Sequence, residues 1–60
     1  MTSRELLKML YRDGWYEYQI HGSHIQLKHS EKIGKVTVPK HSGDIPKGTV
    51  NSILKQAGLK

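Results

Sequence analysis

The sequence predicts an α+β domain of order α-β-β-β-α, a three-stranded antiparallel sheet with both helices on one of its faces. Three observations carry that prediction. Leucines at helical spacing open the chain, a Gly-Ser pair divides two alternating segments, and an i, i+3, i+4, i+7 apolar series closes it.

Thr2 and Glu5 form a capping-box pair, each able to satisfy a backbone N–H left without a partner at a helix start. Leu6, Leu7 and Leu10, with Met9 or Tyr11 at the edge, then make one apolar stripe. Asp13-Gly14 ends it, since glycine takes the left-handed position past a helix C-terminus at little cost. The first helix is therefore expected over about residues 3–13.

"WYEYQIH", residues 15–21, is rich in aromatic and β-branched residues and alternates in character. Tyr16, Tyr18 and Ile20 are expected on the core face, and Glu17, Gln19 and His21 on the other. Gly22-Ser23 suits a two-residue type II′ turn, which asks for glycine first. That turn sets His21 opposite His24, Gln19 opposite Gln26, Glu17 opposite Lys28, Ile20 opposite Ile25 and Tyr18 opposite Leu27. A slip of one residue would turn every apolar side chain to solvent.

"SEKIG" is a turn, and "KVTVP", residues 35–39, is a third strand with Val36 and Val38 inward and Pro39 at its end. "KHSGDIP" reads as a loop. The last helix takes Pro46 in its first turn and buries Val50, Ile53, Leu54 and Ala57. Gly58 is its stop, with Leu59 placed for the hydrophobic contact that accompanies such a cap. With both helices on one side, the opposite sheet face is left bare: Glu17, Gln19, His21, His24, Gln26, Lys28, Lys35 and Thr37.

The 60 residues allow one domain, 1–60, with a small core. The absence of cysteine excludes a disulfide framework, a thiolate metal site and a thiol nucleophile. No apolar run approaches the roughly 20 residues of a membrane span, and no signal peptide opens the chain. No membrane association and a cytoplasmic location are expected. Ten Lys and Arg against five Asp and Glu leave a formal charge of +5, a field that attracts polyanions such as nucleic acid.

Three of the four histidines fall in "YQIHGSHIQLKH", residues 18–29. As metal ligands they fall short: His29 has core parity, His41 is in a loop, and His21 with His24 leave fewer than zinc's usual three or four ligands. Neither metal nor another cofactor is expected. Proton transfer is the sharper idea. RNA carries its own nucleophile, and imidazole titrates near neutrality, so it can serve as base or acid in attack by the 2′-hydroxyl on phosphorus. Lys28 and Lys35, on the same face as His24, can stabilise charge building on the phosphate. Lys47, Gly48 and Thr49 at a helix N-terminus suit a phosphate contact. Trp15 and the tyrosines read as structural. On pattern alone, a solvated turn residue remains the simpler account of His24.

A resemblance shifts that balance. "DGW" after a leucine-rich helix, then "GSH", "KVTVP" and "DIPKGTVNSILKQAGL", in this order and spacing, resemble the HicA toxins of bacterial toxin–antitoxin pairs over essentially the whole chain. The resemblance implies a fold related to double-stranded RNA-binding domains. It also implies the toxin of a type II system, a metal-independent endoribonuclease that cleaves mRNA and is neutralised by a HicB antitoxin. The essential histidine of the family's Gly-Ser-His motif corresponds to His24, with Gly22 and Ser23 as the turn presenting it. Many members carry a histidine or a hydrophobic residue after the motif; here it is Ile25, which the register places in the core. Ser23, Gln26, Lys28, Lys35 and Lys47 are candidate RNA contacts. His21, outside the motif, is a candidate second acid–base group from its cross-strand pairing alone. The alternative is a non-catalytic double-stranded RNA-binding module, which needs the same basic face.

Overall fold

A computed structural model describes residues 1–60. Helix α1 (Ser3–Arg12) is followed by strands β1 (Trp15–His21), β2 (His24–His29) and β3 (Lys35–Pro39), and by helix α2 (Lys47–Gln56). The α-β-β-β-α order and the antiparallel sheet, arranged β1-β2-β3, are those the sequence predicts.

The capping box at α1 is complete. The Thr2 hydroxyl accepts from the Glu5 N–H (3.2 Å), and the Glu5 carboxylate accepts from the Thr2 N–H (2.8 Å). That backbone bond, then the hydroxyl, holds the Glu5 carboxyl below its usual range. At the other end Gly14, with φ at 102°, lets the Tyr11 carbonyl accept from its N–H (3.0 Å) and turns the chain into β1. Pro46 stands at the N-cap of α2, one residue ahead of the first turn. This helix ends in a paired cap: Gly58 N–H donates to Lys55 O (3.1 Å) and Leu59 N–H to Leu54 O (2.8 Å).

The hairpin tip follows the expected register, with His21 opposite His24, Ile20 opposite Ile25 and Gln19 opposite Gln26. Gly22 has a φ of 57° and Ser23 does not share the positive sign, as a type II′ turn requires. Below Gln19 the register departs from expectation. A β-bulge at Tyr18 shifts it, so Glu17 lies opposite Leu27 and Tyr16 opposite Lys28. One extra residue reverses the facing of everything before it. Trp15 becomes the buried aromatic of β1 (3% exposed), its ring edge-on to His29 at 5.2 Å. Tyr16 and Tyr18 go to the open face, and Glu17 goes to the helix side, where it accepts from the Tyr11 hydroxyl.

The core joins both helices to one sheet face: Leu6 and Leu10 of α1, Ile25, Leu27, Val36 and Val38 of the sheet, and Val50, Ile53, Leu54 and Ala57 at α2. Ile45, in the loop before α2, joins it as well, its N–H bonded to Met1 O (2.7 Å). Ile20 does not: near the tip of the edge strand, it is 57% exposed.

A polar junction ties the ends of the elements together at the base of the sheet. His29 Nδ1 accepts from the N–H groups of Glu31 (3.0 Å) and Lys32 (3.1 Å), which leaves Nε2 protonated and donating to Asp13 O (2.6 Å). The Lys32 ammonium donates to the Asp13 carboxylate (2.5 Å) and to Ala57 O (2.8 Å), and the Trp15 indole N–H reaches the same carboxylate (3.1 Å). The Lys32 bond is the main reason the Asp13 carboxyl lies below its usual range. His29 is thus a structural residue spanning two turns.

Candidate functional site: the Gly-Ser-His turn and the open sheet face

His21, Ser23, His24, Gln26 and Lys28 owe their positions to the hairpin, whereas Lys35 lies on β3 and Lys47 opens α2. Gly22 closes the turn, and the Ser23 carbonyl accepts from Lys40 N–H (2.6 Å), which pins the tip to the exit of β3. His24 is therefore the first residue of the central strand, with His21 on one side and Pro39 on the other. Both histidines are exposed. Gln26 follows on the same face, between Gln19 and Thr37, and accepts from the Tyr18 hydroxyl at 2.7 Å. Next comes Lys28, between Tyr16 and Lys35, its ammonium 4.5 Å from the centre of the Tyr18 ring.

His24 also lines a groove of about 430 Å³ where α2 runs beside β3. Thr37 and Pro39 form the sheet side of this groove, and Gly48, Thr49, Ser52 and Gln56 the helix side. The sheet face supplies cations; the groove supplies hydroxyls and an amide beside the same imidazole. Lys47 points elsewhere, into a separate depression with Ile45, Val50, Asn51 and Leu54, while its neighbours Gly48 and Thr49 face His24's groove. The structure thus gathers His21, His24, Gln26, Lys28 and Lys35 on one surface and leaves Lys47 outside it.

Sequence reasoning missed Ser52, Gln56 and the two tyrosines. Ser52 and Gln56, with Thr49, recur at i, i+3, i+7 on the flank of α2 beside its apolar stripe, a polar row that periodicity could have flagged. No three His, Cys, Asp or Glu side chains converge on a common point.

The family model described as HicA toxin of bacterial toxin-antitoxin matches residues 3–59. The chain belongs to the HicA toxin family. A solved toxin–antitoxin complex from Streptococcus pneumoniae contains a chain of 35% sequence identity, with 98% of each chain covered and a TM-score of 0.84. No curated protein matches the chain at a significant level. The matched residues include the hairpin, the open face and the groove. No helix is long and apolar enough to cross a membrane.

Proposed function

We propose that this HicA-family chain is a cytoplasmic, metal-independent endoribonuclease that cleaves mRNA, with His24 as its proton-transfer group. The observation that supports this most is where His24 stands: exposed, on the central strand, between a cationic sheet face and a groove lined with hydroxyls. An RNA strand whose phosphodiester reaches the imidazole passes Lys28 on β2 and Lys35 on β3 at the far end of the same face.

The chemistry follows from the substrate. A neutral imidazole takes the proton of a ribose 2′-hydroxyl. The oxygen bonds to the adjacent phosphorus, the bond from phosphorus to the 5′ oxygen breaks, and a protonated group supplies that oxygen with its hydrogen. The products are a 2′,3′-cyclic phosphate and a 5′-hydroxyl. His21 is the natural second group, because directly paired residues bring their Cβ atoms within about 4.5–5.5 Å. Lys28 and Lys35, paired four positions along β2 from His24, hold neighbouring phosphates of the same RNA strand. Ser23 and Gln26 contact the ribose or base, and Lys47 anchors a more distant phosphate.

The same surface explains neutralisation. The related chain of known structure was solved in a toxin–antitoxin complex. A HicB-type antitoxin that covers this face meets positive charge, so its docking surface is acidic.

The test compares the parent with His24→Ala. The parent is expected to arrest growth without antitoxin and to cut purified mRNA, leaving cyclic phosphate ends in the presence of a chelator. His24→Ala does neither and keeps its RNA affinity. Equal harmlessness of the two chains in cells, with intact RNA in vitro, rejects the enzyme. If His24→Ala kills as well as the parent, the chain is a binding module. His21→Ala is expected to slow cleavage; full speed in that variant removes His21 from the mechanism.

A further inference from the structure

The bulge at Tyr18 changes what the open face is made of. It carries Glu17 through to the helix side, where its carboxylate is occupied by Tyr11. In exchange it brings Tyr16 and Tyr18 to the face that holds Gln26, Lys28 and Lys35. The face thereby loses its one carboxylate and gains two phenol rings.

Two features of this surface suit a polyanionic ligand with exposed ring faces. Lys28 and Lys35 stand directly opposite each other on neighbouring strands. Like charges so placed repel and weaken a sheet, and no acid on the face offsets them. Tyr16, a large aromatic within a strand, is left 49% exposed beside that pair. The Tyr18 ring is already engaged, tied through its hydroxyl to Gln26 and lying under the Lys28 ammonium, so it braces the lysine. Tyr16 is the ring with a free surface.

We propose that the open face is a stacking platform for single-stranded RNA. A base lies on Tyr16, the phosphates on either side run over Lys28 and Lys35, and the strand continues along β2 to His24. This rests on the ribonuclease reading above and deepens it by naming the form of RNA that is bound. Lys28 and His24 are separated along β2 by about 13 Å at ~3.3 Å per residue, the reach of a few nucleotides. Charge alone would accept a duplex, but an RNA helix keeps its base faces stacked inside, and only an unpaired base can lie on an aromatic ring. Stacking is also indifferent to base identity, so the platform positions the strand without reading its sequence.

The test measures equilibrium binding of a labelled single-stranded oligoribonucleotide in a His24→Ala background, so that the RNA persists. Adding Tyr16→Ala is expected to weaken binding about ten-fold or more without changing its salt dependence, while Tyr16→Phe stays within about two-fold. Lys28→Ala is expected to reduce the salt slope. Duplex RNA is expected to compete poorly. Thermal melting confirms that each variant folds, and Tyr16→Phe separates stacking from any role of the hydroxyl. Unchanged affinity in Tyr16→Ala overturns the platform, as does duplex RNA binding as tightly as the single strand. A Tyr16→Ala chain that keeps RNA but loses an antitoxin assigns the ring to a protein contact instead. If the parent neither binds nor cuts RNA, the ribonuclease reading falls with the platform; if it does both and only the Tyr16 effect is missing, the platform falls alone.

Discussion

Replacing Gly14 by alanine strikes the fold at two points at once, and their costs can be separated. The backbone there has a φ of 102°, which a residue with a Cβ adopts at roughly 1–2 kcal/mol. A Cβ at Gly14 would also lie 2.8 Å from His29 Nε2, inside contact distance. The ring has to withdraw, which breaks its bond to the Asp13 carbonyl, worth about 0.5–1.5 kcal/mol. Together these give about 2–3 kcal/mol. A chain of 60 residues is stable by only about 3–9 kcal/mol. At roughly 4–8 °C per kcal/mol the midpoint falls by about 10–20 °C. Two controls isolate the parts. Gly22 has a positive φ and an added Cβ there meets nothing within 4 Å, so Gly22→Ala bears the dihedral cost alone. Gly43 has neither feature, and Gly43→Ala is expected to be neutral or slightly stabilising. Urea unfolding followed by circular dichroism reads all three. Should Gly14→Ala cost no more than Gly22→Ala, the contact with His29 has no energetic weight and the account of that junction is refuted.

Four further outcomes follow. His29→Ala leaves the Glu31 and Lys32 N–H groups without their acceptor and is expected to cost about 2–3 kcal/mol in urea unfolding, with no direct effect on RNA cleavage per folded molecule. Leu27, fully buried on the central strand, is expected to lose about 2–5 kcal/mol on change to alanine in the same assay. Because Lys32 depresses the Asp13 carboxyl, its contribution is present above the ordinary carboxylate range and is lost as pH falls through the folded value; Lys32→Met should flatten that acid limb of the melting curve. The Tyr11 phenol, pushed up to about 12 by desolvation and then by its bond to Glu17, acts in the opposite direction. Its contribution is complete below pH 10 and is lost as pH rises towards 12, so Tyr11→Phe should flatten the alkaline limb.

Most of the fold was legible because its signals are local. The capping box, the glycine after α1, the turn at Gly22-Ser23 and the stripe on α2 each depend on residues a few positions apart, and the hairpin tip inherits its register from the turn. The bulge was not legible from alternation, since "YEYQI" alternates without a break. The clue lay in a conflict of phase. Trp15 and Ile20 are both strong core candidates, but they are five positions apart and cannot share a face of a regular strand. One inserted residue resolves the conflict and turns the two tyrosines outward. Of the candidate site, the cluster around His24 was legible, since it follows from the turn. The flank of α2 was not, because Ser52 and Gln56 meet His24 only through the packing of a helix against β3. The long-range bonds of His29 and Lys32 offered no pattern at all: Asp13 and Ala57 lie 16 to 25 residues away.

The bulge has one more effect, at the border of the molecule. β1 has a neighbour on one side only, so its other side offers backbone donors and acceptors to any extended chain that comes near. A regular seven-residue strand would be a template for zipping up with a second copy. At Tyr18 the ladder is interrupted, and an approaching strand in step with one half of β1 is out of step with the other. The irregularity that decides which side chains meet the solvent therefore also limits how far a stranger can pair along this rim.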